Sequence, residues 1–133
     1  MAKLLLIMAG GALGTAARVG VSEALSRLFG AELIWVWTMV VNITGSFVIG
    51  FVGTASGENG RLVISQSMRQ FLMIGICGGY TTFSSFSLQT LSLAEKGEWM
   101  RAGANVVFSV VLCLIAVWLG HFVAVSFGSS KGS

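Results

Sequence analysis

The stretch from Gly78 to Ser87 reads GGYTTFSSFS, and it places two phenylalanines, a tyrosine and a run of hydroxyl side chains inside an otherwise apolar segment. Phe83 and Phe86 stand three residues apart, which puts both on one helical face, while Ser84 and Ser87 share the neighbouring one. Such a stripe suits an anion, because hydroxyls donate and the edge of a phenyl ring is the positive end of its quadrupole. Packing phenylalanines with serines bonded back to their own carbonyls would produce the same pattern. Further polar residues favour the first reading. Asn42, between MVV and ITGS, is costly in hydrocarbon and must face protein or water. Asn105, Ser109 and Cys113 follow at four-residue spacing along one helical face. Arg18 either snorkels to the headgroups or offers positive charge to an aqueous vestibule. Acceptors are scarce: the chain has no Asp, and Glu23, Glu32, Glu58, Glu95 and Glu98 fall toward span ends or in connectors. A cation or proton pathway, which wants carboxylates at depth, is disfavoured. So is an enzyme, since His121 is the lone histidine and no Ser/His/Asp or metal-ligand constellation exists. Cys77 and Cys113 lack metal-ligand spacing and read as buried free thiols.

The elements that must position these residues follow from composition. The chain has 133 residues, of which 55% are hydrophobic and 10% charged. Its mean hydropathy is +0.87. That leaves too little polar surface for a soluble globule and places the chain in a bilayer. Eighteen glycines and no proline suit closely packed membrane helices. Four stretches approach the ~20 apolar residues that a spanning helix needs. They run over 4–28, 35–55, 71–93 and 102–127 and form one all-α domain, residues 1–127, followed by a flexible tail, 128–133. The start imitates a signal peptide, but apolar character resumes beyond Arg18, so an uncleaved first helix is expected.

Gly78 and Gly79 are poor helix-interior residues, and the hydroxyls after them compete for backbone bonds, so the third span is expected to break between Gly78 and Thr82. Carbonyls freed at membrane depth would make a cation site. Four spans put Lys3, Arg61, Arg69 and Lys131 on one side and Arg27, Lys96 and Arg101 on the other. This near balance gives no firm orientation and admits an antiparallel dimer.

These residues resemble the Fluc (CrcB) family of fluoride channels. The resemblance rests on GGALGTAAR in the first span, TMVVNITGSFVIG in the second and GICGGYTTFSSFSLQT in the third, the last being the most specific. It implies an antiparallel, dual-topology homodimer in the bacterial inner membrane, with two pores that export fluoride passively and protect the cell. Its partners would be fluoride, a second copy of itself and membrane lipid, with no nucleic acid. By the same resemblance, Phe83 and Phe86 border the fluoride path and Asn42 donates to the ion. Arg18 lies at the vestibule, and Ser109 is on a polar track of the fourth span. The backbone carbonyls of Gly78 and Thr81 would hold a structural sodium ion. Cys113 stands where the family commonly has serine, Val117 ends the track a turn early, and Gln89 replaces a frequent glutamate.

Two other classes fit part of the pattern. A small dual-topology multidrug transporter would need an acidic residue deep in the first span, where only Glu23 is available, near the span's end. A structural assembly protein would account for Gly10-x-x-x-Gly14 but not for Asn42 or the phenylalanine stripe.

Overall fold

A computed structural model of the protein describes residues 1–129; the expected tail residues 130–133, Lys131 among them, lie outside that range. Four helical spans are long and apolar enough to cross a membrane: Ala2–Phe29, Ala31–Ala55, Gln66–Glu95 and Trp99–Gly128. They contain the four stretches expected from hydropathy and extend them by up to several residues at each end. Connectors carry the extra turns, because their polar residues can still complete a helix in the headgroup region.

Helix α1, Ala2–Phe29, ends at Gly30, whose φ of 114° only glycine adopts cheaply. Its N–H closes back on Ser26 O at 3.0 Å, and Trp37 Nε1 donates to its carbonyl at 2.9 Å. A single 3-10 turn, Ala31–Leu33, then leads into α2, Ile34–Ala55. The third span is composite. Ser65 caps the short helix α3, Gln66–Gln70, by accepting the Met68 N–H at 3.1 Å. A π-helical stretch, Phe71–Cys77, and one more turn, α4 (Gly78–Tyr80), follow. Thr81 and Thr82 are extended, and the chain re-enters a helix as α5, Phe83–Glu95. Gly97, at φ 75°, reverses the chain with the paired bonds Gly97 N–H to Ala94 O and Glu98 N–H to Leu93 O, the Schellman arrangement. Helix α6, Trp99–Ser129, closes the bundle and includes Gly128 and Ser129.

The two glycines ahead of the bend play a different part from the one expected. Gly78 is helical, with φ −64° and ψ −37°, and the non-helical residues are the two threonines. Gly79 serves packing: a Cβ there would lie 2.5 Å from Gly11 O on α1. The same device recurs along this seam. A Cβ on Gly10 would sit 2.8 Å from Phe71 O, and one on Gly75 would sit 2.9 Å from Ile7 O. Across the bundle, α2 and α6 meet at Gly50, whose Cβ would strike Val117 O, and at Gly120, whose Cβ would strike Phe47 O. Lipid gives apolar helices no hydrophobic reason to associate, so backbone-to-backbone approach supplies dispersion contact instead. The interior is correspondingly small and partly polar, with Thr38, Asn105 and Ser109 buried, while Leu13, Val107, Leu114 and Phe122 face outward.

Candidate functional site

The bend is built by α2. Asn42 reaches across to Thr82 and makes two bonds with one residue's backbone: its Oδ1 accepts the Thr82 N–H at 2.8 Å, and its Nδ2 donates to Thr82 O at 3.0 Å. Because the Thr82 groups have left the helical ladder, Asn42 meets the cost of exposing them. An amide has two N–H donors, so one remains beyond this clasp. Thr82 then starts α5 as its N-cap, its Oγ1 accepting the Ser85 N–H at 3.2 Å. Around the bend, Thr44 Oγ1 pairs with the Tyr80 hydroxyl at 2.9 Å, and Thr81 Oγ1 donates to Cys77 O.

These diversions bear on the two carbonyls singled out for a cation. In a continuous helix, Gly78 O would accept the Thr82 N–H and Thr81 O the Ser85 N–H. The first now goes to Asn42 and the second to Thr82 Oγ1. Gly78 and Thr81 therefore carry carbonyls whose helical donors have been taken.

Asn42, Gly78, Thr81, Phe83, Phe86 and Ser109 all line one cavity of about 360 Å³, open on one side. The Phe83 and Phe86 rings are tilted by 50°, with centroids 5.2 Å apart. Phe86 is buried at 9% exposure, whereas Phe83 stands 76% exposed at the cavity's open side. The far wall is α6. There Ser109 Oγ donates to Asn105 Oδ1 at 3.2 Å, Asn105 Nδ2 donates to Thr90 Oγ1 at 2.9 Å, and Thr90 Oγ1 donates to Phe86 O at 2.8 Å. Asn105 is 1% exposed, so this chain ties α6 to α5 directly behind the phenylalanine pair. The four-residue spacing of Asn105 and Ser109 had marked them as one face; their link to Thr90 had no signal in the sequence. No charged side chain lines the cavity, and Cys77, Cys113 and Thr82 join its walls.

Arg18 lies elsewhere. Its Nε donates to Gly79 O at 3.2 Å, and it lines a second, smaller cavity of about 210 Å³ with Ser22, Thr38, Ser85 and Gln89. Thr82 borders both cavities, so the bend is the partition between them. Gln89 donates from Nε2 to Thr38 Oγ1 at 2.9 Å, which fixes the residue that stands in place of a carboxylate. Val117 does not line the first cavity; its carbonyl is where Gly50 packs.

Four helices long and apolar enough to span a bilayer, the third of them bent and held there by the half-buried amide of Asn42, define a multi-pass membrane protein. The chain belongs to the family described as CrcB-like protein, Camphor Resistance (CrcB), whose profile matches residues 5–121. It is 54% identical to a protein of Methylocella silvestris over 96% of each chain, and 51% identical to one of Opitutus terrae over the full length of both. A Rhodospirillum rubrum protein is 54% identical over 91% of this chain and 93% of its own. Each of the three is named Fluoride-specific ion channel FluC.

Proposed function

We propose that the protein is a fluoride-selective channel that lets fluoride leave the cell passively, and that the ion's path runs through the cavity holding Phe83 and Phe86. The observation that carries this reading is the composition of that cavity: its walls are largely apolar, and what breaks them is an amide, hydroxyls, thiols and aromatic edges, with no carboxylate and no other charge. The names of relatives at about half identity support the choice of ion. Fluoride is small and strongly hydrated, so a narrow dry path must replace its water with donors, each weak enough to release it. The free N–H of Asn42 supplies a conventional donor, and the ring edges of Phe83 and Phe86 supply the remainder. Chloride is too large for such a bore and loses less by staying in water. Arg18 brings positive charge to the neighbouring cavity, which Glu23 also lines.

The third span works in this reading as a broken helix, and the partners are two antiparallel copies whose breaks meet. Support comes from Phe83, left exposed beside an open-sided cavity, and from the charges flanking the spans, with Lys3, Arg61 and Arg69 facing Arg27, Lys96 and Arg101 across the membrane. Sodium would be held by the carbonyls of Gly78 and Thr81, where it would supply fixed positive charge to the bend.

Fluoride efflux from proteoliposomes, followed with a fluoride electrode and compared with chloride, tests the function. Equal rates for the two anions, or flux of a lipophilic cation instead, would defeat it. For the assembly, lysines added to the connector 56–61 should trap one orientation and lower dimer yield. A reporter at the carboxy terminus of the unaltered protein that reads one orientation alone would rule the antiparallel arrangement out.

A further inference from the structure

Both cysteines of the chain line the same cavity, one from each side. Cys77 closes the π-helical stretch just before the bend, 4% exposed. Cys113 lies on α6 one helical turn beyond Ser109 and is half-buried. Neither forms a disulfide. No group of three or more His, Cys, Asp or Glu side chains is gathered among the described residues, which argues against zinc or another cation that wants four such ligands. Soft monovalent cations differ in kind: thiolate sulfur selects them, and two sulfurs in line satisfy them. Hard cations find hydroxyls, the amide of Asn42 and backbone carbonyls here, and no carboxylate.

We infer that the cavity of Phe83 and Phe86 carries a site for a soft monovalent metal cation, silver(I) or copper(I), built on the thiols of Cys113 and Cys77. Each metal–sulfur bond forms by donation of a sulfur lone pair as the thiol proton leaves to water, with no change of oxidation state, so binding releases protons and weakens as pH falls. A cation held there sits among the donors that would otherwise face an anion. Its effect on flux rests on the conduction path proposed above, whereas its binding does not.

Silver nitrate in chloride-free buffer is the probe. On the unaltered, purified protein, one equivalent of silver should shield both cysteines from alkylation by N-ethylmaleimide, read as intact mass. Cys113→Ser should weaken the tight equivalent by at least ~100-fold, more than loss of an outer-shell partner typically costs. Cys77→Ala should weaken it comparably, and His121→Gln should leave it in place. Silver that leaves both cysteines open to alkylation, or a tight equivalent that survives in the folded double variant, would overturn the site. In proteoliposomes, silver should abolish fluoride efflux of the unaltered protein, and 2-mercaptoethanol should restore it. Protected cysteines with undiminished efflux would keep the metal site and remove the cavity from the conduction path.

Discussion

The glycine seam between α1 and the stretch 71–80 and the bend between α2 and α5 are both places where backbones come within reach of a second helix, yet they do opposite things with the approach. Along the seam the backbone keeps its helical bonds, and glycine removes side chains so that carbonyls such as Phe71 O and Gly11 O meet a neighbouring helix directly. At the bend the backbone gives up its helical bonds, and a side chain, Asn42, takes their place. The seam brings backbone against backbone over most of its length, with Arg18 donating to Gly79 O at one end; the bend borders two cavities. In lipid the first arrangement holds a bundle together, and the second leaves polar groups that can meet an ion.

The comparison breaks most completely at the seam. Gly14→Leu puts a side chain where even a Cβ would strike Ile76 O, and no folded protein should be recovered, read as loss of the monodisperse peak in detergent. Gly11→Ala, one helical step away and with open space around its Cβ, should assemble normally and serves as the control. At the bend, function should fail before the fold does. Phe83→Ile with Phe86→Ile keeps apolar volume but removes the ring edges, and fluoride efflux should fall by more than about tenfold in a well-assembled protein, as a quadrupole contact worth ~1 kcal/mol at each ring would give. Near-normal efflux would return the pair to a packing role.

Asn42→Leu and Asn42→Asp sharpen the contrast. Leucine leaves the Thr82 N–H and carbonyl unsatisfied and should lower thermal stability, at about 1–3 kcal/mol per group. Aspartate can still accept the N–H but sets a carboxylate against Thr82 O, so assembly should partly return while efflux stays low. Recovery of efflux in the aspartate variant would show that the amide matters only as a clasp. The smallest effect belongs to Ser109→Ala. Asn105 keeps its bond to Thr90, so efflux should drop about threefold or less, in line with one neutral hydrogen bond.

How far these regions could be read from the sequence differs for a physical reason. The spans follow from hydropathy, a property of each stretch alone, and Gly10 and Gly14 mark their helix face by spacing. Asn42, Phe83 and Phe86 were also visible, since a polar or patterned residue in hydrocarbon demands a partner. A break is expected between Gly78 and Thr82, and the third span bends within that stretch. The bend falls on Thr81 and Thr82 because the amide of Asn42, some forty positions earlier, selects which N–H it takes. The link from Asn105 through Thr90 to Phe86 O, and the separation of Arg18 into a cavity of its own, depend on how three helices lie together; neither residue type nor spacing carries that.

The π-helical stretch Phe71–Cys77 has a consequence of its own for where that amide lands. A π turn houses one residue more than an α turn, so all that follows is rotated by roughly 100° about the helix axis relative to an uninterrupted α-helix. Thr82 meets Asn42 in the phase that this added residue sets. The stretch thus acts as a phase shift written into the chain, and deleting a single residue from it would reset the helix to ordinary pitch. The threonines would then point away from α2 with every one of their side chains intact.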